Sequence, residues 1–150
     1  MNDIQLSKEL IRKIEADGCA AYPNECCGVL IGRDVTGADG QPHRVVDRVE
    51  PLTNSFEKHE QHHRFKLDGL EYAAVEKRVS LEGKLVLGFY HSHPDHPARP
   101  SQYDLDHAWP FYSYVIVQII QRRPGALTSW VLDEDKNEFA AQEIGPPELS

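Results

Sequence analysis

His91-Ser92-His93 is the segment whose residue types and spacing can do chemistry. On an extended strand, residues i and i+2 project from one face, so the two imidazoles point together. Two ligands of one zinc ion need this arrangement, with the metal about 2.0–2.1 Å from each nitrogen. Further on, Ser101-Gln102-Tyr103-Asp104 reads as the start of a short helix, a capping box in which aspartate replaces glutamate. An aspartate in that first turn can aim its carboxylate back at the histidines. His91, His93 and Asp104 then offer two nitrogens and one oxygen, leaving a tetrahedral metal a fourth position for water, as catalytic zinc sites do. Alone, H-x-H is usually surface or core histidine, and S-x-x-D merely a helix start. At this fixed spacing the two coincide by chance in about one chain in a thousand.

His-Ser-His, seven residues and then S-x-x-D, with a glutamate upstream, resembles the signature of the JAMM (MPN+) metallopeptidases. The upstream candidate is Glu25, in Glu25-Cys26-Cys27-Gly28-Val29-Leu30-Ile31-Gly32, which is similar to that family's N-E-x-C-G-hydrophobic-G segment. The resemblance runs from Tyr22 to about Val117 and fills every motif position. It is nearest the small stand-alone bacterial members, through the run Gly88 to Pro94; the larger insertions of eukaryotic ubiquitin-directed members are missing. It implies a single α/β domain with a curved mixed β-sheet flanked by helices, related to the zinc-dependent deaminases. The deaminases' own signature, H-x-E with P-C-x-x-C, is not in this chain. Carried over by position, His91, His93 and Asp104 hold one Zn2+ per chain. Glu25 acts as general base and then acid, and Ser101 assists at the oxyanion.

Elementary chemistry agrees with those roles. Zinc lowers the pKa of bound water to near 7 and polarises a carbonyl. A carboxylate can take the proton from water and hand it to the leaving amine. A hydroxyl near the reacting carbonyl stabilises its developing charge, a contact worth roughly 3 kcal/mol when lost. The resemblance further implies a partner, a ubiquitin-like sulfur-carrier protein whose extended C-terminal tail adds as a strand. The bond cut follows its C-terminal glycine, releasing cysteine or exposing a Gly-Gly end for thiocarboxylation. Two alternatives stand beside this: the same zinc hydrolysis on another small peptide or amide, and a metal-free scaffold. The scaffold is disfavoured because every ligand position and the glutamate are filled.

These residues need elements to position them. Ile4 to Glu15 has helical spacing, with Gly18 expected to stop the helix. Cys26 to Ile31 reads as a buried strand, Thr36 to Pro42 as a turn and His43 to Leu52 as the second strand of a hairpin. Asn54 to Arg64 is expected to be an exposed loop, followed by a short strand at Arg64 to Leu67 and a helix from Asp68 (its N-cap) to Glu82, ended by Gly83. Leu85 to Tyr90 is a buried strand that delivers His91 and His93. Pro94, Pro97 and Pro100 keep the next stretch irregular before a helix at Ser101 to His107. Tyr114 to Ile120, Leu127 to Leu132 and a strand near Phe139 complete the domain, with a turn at Pro124-Gly125. The domain is placed at residues 1–144 and a frayed tail at 145–150.

The remaining candidates have ordinary readings. Cys26 and Cys27 read as small buried hydrophobes, and Cys19 has no motif. His59, His62 and His63 belong to a solvated loop, and His96 faces solvent. Ser92 orients the loop, while Tyr103 and Trp109 read first as packing in the core or against a helix, with lining the cleft as the lesser alternative. The chain has 150 residues, enough for one ordinary domain. Its 24 acidic against 16 basic residues give a formal charge of −8, which disfavours nucleic acid and anionic membranes as partners. No apolar run approaches the roughly 20 residues of a membrane span. Three cysteines, and an N-terminus without a basic and apolar leader, point to a cytoplasmic protein.

Overall fold

In the computed structural model, residues 3–54 and 69–146 are described. The order is β1 (Ile4–Gln5), α1 (Lys8–Ala21), β2 (Cys27–Thr36), β3 (Pro42–Leu52), α2 (Gly69–Leu81) and β4 (Leu85–Pro94). There follow α3 (Gln102–Asp106), β5 (Ser113–Ile120), β6 (Arg123–Asp133), β7 (Glu138–Gln142) and β8 (Ile144–Gly145). Among the described residues the strands form one mixed sheet in the order β7-β6-β5-β4-β2-β3-β1-β8. β4 lies inside it, antiparallel to β2 and parallel to β5. The expected α/β fold, a curved mixed sheet with flanking helices, is the observed one.

Each sheet face carries its own core. On one, Leu10 and Ile14 of α1 pack over Leu30, Leu87, Val115, Val117 and Ile119. On the other, Val75 and Val79 of α2 cover Val29, Ile31, Val86 and Phe89. Strand alternation gives the α2 face Phe89, His91 and His93, and the α1 face Tyr90 and Ser92. Both histidines are therefore continuations of a buried apolar row.

Several boundaries differ from the sequence expectation. The first helix starts at Lys8, because Ser7 caps it by accepting from the Leu10 amide at 3.2 Å. Ile4 instead lies on β1, paired in parallel with β3 and β8. Gly18 lies within α1, where a β-carbon would come 2.9 Å from the Ile119 side chain, so its role is close packing. Pro124 and Gly125 lie within β6; the reversal is at Gln121 and Arg122, both at positive φ. That left-handed pair carries no glycine or asparagine, so the turn is silent in the sequence. Pairing extends to Gly145, one residue past the predicted domain end. The expected loop at Asn54 to Arg64 (beyond Asn54 itself), strand at Arg64 to Leu67 and N-cap Asp68 fall outside the described residues, as do His59, His62, His63 and residues 147–150. No helix among the described residues is long and apolar enough to cross a membrane.

α2 is tied to β3 by a charged network. Arg78 donates to both oxygens of Glu50 at 2.6 and 3.0 Å, and Arg48 bridges Glu50 and Glu82. Hydrogen bonds from Arg78, outweighing partial burial, hold the Glu50 carboxyl down to about 2. A depressed carboxyl stabilises the fold above the unfolded-state value of 4.5, and that contribution is lost as pH falls toward 2. Glu50→Gln is expected to lower unfolding stability by about 1 kcal/mol at pH 7 in urea titrations, with the gap closing between pH 4.5 and 2. Gly88 faces a harder constraint, because a β-carbon there would sit 1.9 Å from the Ser113 carbonyl oxygen on β5. Gly88→Ala should cost more than about 2 kcal/mol in the same titration, since two strands must separate to admit it.

Candidate metal centre

The centre begins with β4, whose pleat puts His91 and His93 side by side, each about 1% exposed. α3 supplies Asp104 through the expected capping box. The Ser101 hydroxyl accepts from the Asp104 amide at 3.0 Å, and Asp104 Oδ2 accepts from the Ser101 amide at 2.8 Å. That same Oδ2 lies 3.3 Å from His91 Nε2 and 3.2 Å from His93 Nε2, and the two nitrogens are 3.2 Å apart. Three donor atoms thus form a nearly equilateral triangle. Metal bonds of 2.0–2.1 Å at tetrahedral angles put donor atoms about 3.3–3.4 Å apart, so the triangle has the size zinc needs. His93 Nδ1 donates to the Pro97 carbonyl at 2.8 Å, leaving the Nε2 lone pair aimed at the centre.

Glu25 precedes β2, and the register that pairs Cys27 with His91 brings it alongside His93. One of its carboxylate oxygens is within 4.8 Å of donor nitrogens on both His91 and His93. Ser92, fully buried on the opposite face of β4, fastens this segment: its hydroxyl accepts from the Cys26 amide at 2.8 Å, and its own amide donates to the Cys26 carbonyl at 3.2 Å. Asn54 donates to the Glu25 carbonyl at 3.1 Å, a support with no sequence signal. Burial raises the Glu25 carboxyl to about 8; the Asp104 charge adds to this and His93 opposes it. Burial alone would raise Asp104 too, but in the metal-free site the neighbouring imidazoles, His91 foremost, when protonated, and the Ser101 amide hold it far below the ordinary range. Two carboxyl groups at one site are thereby shifted in opposite directions, Glu25 upward and Asp104 downward.

A family model for prokaryotic homologues of the JAB domain matches residues 7–133. The chain belongs to that family. A desampylase of Haloferax volcanii is 34% identical over 95 residues, 63% of this chain, and this chain spans only 62% of that protein's length. A solution structure of a protein from Desulfitobacterium hafniense superposes with TM-score 0.78 at 33% identity, covering 97% of this chain and 94% of the other. A JAB1/MPN domain protein from Archaeoglobus fulgidus shares the fold alone, with TM-score 0.54 at 21% identity, covering 95% of this chain and 98% of the other.

Around the centre of this JAB domain, three readings change. His96 is stacked on the His93 ring, centroids 4.1 Å apart, rather than simply facing solvent. Tyr103 and Trp109 line a cleft of about 440 Å³ that ends on His91 and Asp104. The aromatic walls are invisible in the sequence because they come from α2, β4, α3 and β5, which only the fold brings together. Cys26 and Cys27 are buried as expected, and burial pushes the Cys27 thiol up to about 12, so it is no thiolate at neutral pH.

Glu25 carries a sign-specific prediction for metal-free protein. A carboxyl raised from 4.5 to about 8 costs stability as pH climbs between those values, because only the unfolded chain releases the proton. Metal-free Glu25→Gln should therefore be more stable than the parent by roughly 2–4 kcal/mol at pH 8.5 and nearly equal at pH 4.5, as read by denaturant unfolding.

Proposed function

We propose that this protein is a zinc-dependent hydrolase that cuts the amide or isopeptide bond following the C-terminal glycine of a ubiquitin-like sulfur-carrier protein. The observation that carries the reading is the donor triangle of His91, His93 and Asp104, with sides of 3.2–3.3 Å and Glu25 beside it. The similarity to a desampylase supports a ubiquitin-like protein as the acyl partner.

The three donors would hold the metal, which when bound supplies a Lewis acid that polarises the carbonyl and acidifies water. Glu25 accepts a proton from the attacking water. It then delivers that proton to the departing nitrogen, without which an amide nitrogen leaves poorly. A carboxyl with affinity for a proton near neutral pH suits both halves of this cycle. The Ser101 oxygen accepts from the Asp104 amide, so its O–H remains available to donate to the carbonyl oxygen as charge develops there. Asp104, fixed by the Ser101 amide, supplies the third donor and carries no proton.

Purified protein is expected to hold zinc at about one equivalent per chain by elemental analysis, as one three-donor set with a fourth position left open implies. His91→Ala should lose the metal. Glu25→Gln should keep it while turnover of a Gly-Gly-terminated carrier adduct falls by roughly 10²–10⁴-fold. Full turnover in Glu25→Gln, or cleavage without bound zinc, would overturn the reading.

A further inference from the structure

Three of the five non-glycine residues at positive φ among the described residues, Asp95, Gln121 and Arg122, converge on Tyr22, directly or through Asp95. Backbone in that region is unfavourable for a residue with a β-carbon and persists only where several contacts enforce it. We propose that Tyr22 and Asp95 are positioning residues for Glu25: the bond between their side chains holds the connection that carries Glu25 against the connection that leaves His93. The proposal rests on the hydrolase reading, since it assigns what keeps the general base in place.

Tyr22 caps the C-terminal end of α1, just before Glu25, and Asp95 follows the last residue of β4, just after His93. The Asp95 carboxylate joins two parts of the chain. Its Oδ2 accepts from the Tyr22 hydroxyl, and its Oδ1 accepts from the Gln121 amide at 2.8 Å. Its own amide donates to the Ile119 carbonyl at 2.7 Å, which ties it to the end of β5. Arg122 closes the other side: its guanidinium lies 5.4 Å from the Tyr22 ring centroid and donates to the Cys19 carbonyl of α1 at 3.1 Å. The left-handed turn thus brings one amide to Asp95 and one guanidinium to Tyr22. Between Tyr22 and Glu25, the Asn24 amide donates to the Ala21 carbonyl at 2.9 Å; beyond Glu25, the Cys26 amide donates to Ser92. Glu25 is therefore strung between two ties to the stretch that bears the histidines, one through Ser92 and one through Asp95. Asp95 is exposed, so its bond to Tyr22 adds little to the stability of the fold. What the bond fixes is where the connection lies, and a misplacement of about 1 Å can cost about 10²-fold in rate.

The test uses full-length protein. Tyr22→Phe keeps the ring beside Arg122 and removes only the hydroxyl, while Asp95→Gly tolerates the left-handed backbone and removes the acceptor. Amide hydrogen exchange is read by NMR on metal-free protein. In Tyr22→Phe, exchange at the Asn24 and Cys26 amides should quicken by at least ~5-fold, with the α2 amides exchanging as in the parent. In zinc-loaded Tyr22→Phe, kcat on the Gly-Gly-terminated carrier adduct should fall by at least ~10-fold, with KM and zinc content unchanged. Adding Tyr22→Phe to Asp95→Gly should lower kcat no further, because the two changes remove one bond. The Tyr22→Phe results decide the matter even if Asp95→Gly does not fold. Unchanged exchange at Asn24 and Cys26, equal quickening throughout the fold, loss of zinc, or full turnover in Tyr22→Phe would overturn the proposal. A zinc-loaded parent that cleaves no adduct counts against the hydrolase alone, and the exchange rates then still support or overturn the tie between Tyr22 and Asp95.

Discussion

One oxygen atom, Asp104 Oδ2, is shared by three neighbours: the Ser101 amide and the Nε2 atoms of His91 and His93. The site depends on that sharing. A carboxylate on a five-residue helix would be free to swing, but the capping box ties it to the backbone where the helix begins. The same bond that starts α3 therefore aims the carboxylate. The aim is useful only because β4 presents both imidazoles rigidly, and β4 is rigid because it is paired on both sides. Convergence of three lone-pair-bearing atoms at 3.2–3.3 Å is electrostatically unfavourable without a cation or proton among them. In this sense the fold stores a demand for positive charge at one point.

Glu25 is placed by a different mechanism. It sits just outside β2, held through Ser92 on the α1 face of the sheet and through Asn54 from the end of β3. Its surroundings exclude water, while those of Asp104 supply hydrogen bonds to the anion. The contrast between the two carboxyl groups thus follows from burial without a hydrogen-bond donor at Glu25 and from hydrogen bonds to the anion at Asp104. The Ser92 contacts that anchor this segment run on the face opposite to the donors, so they add no competing ligand to the centre.

Legibility in the sequence followed the range of the interaction. The paired histidines and the capping box are local, set by periods of two and by an i, i+3 spacing, and both stand in the structure where those spacings put them. Gly83 ends α2 in the same local way, at positive φ. Errors arose where tertiary packing decides. Ile4 and Leu6 have helical spacing with Leu10 and Ile14, yet Ser7 caps the helix after them and the sheet claims Ile4. Gly18 resembles a stop but makes room for Ile119. Tyr72, Phe89, Tyr103, Trp109 and Tyr114 share no periodicity, since each arrives on its own element or connection. The nearness of Glu25 to the histidines could be inferred from resemblance alone; its physical basis is the Cys27–His91 register, a contact across the sheet.

The central claim is that two imidazoles and one carboxylate, with no thiolate, hold the metal. Zinc-edge X-ray absorption on the zinc-loaded protein measures this ligand set directly. The account predicts a nitrogen and oxygen shell at about 2.0–2.1 Å, with outer-shell scattering from two imidazoles. A sulfur shell at about 2.3 Å would contradict it, because Cys26 or Cys27 would then be a ligand and the triangle would not be the centre.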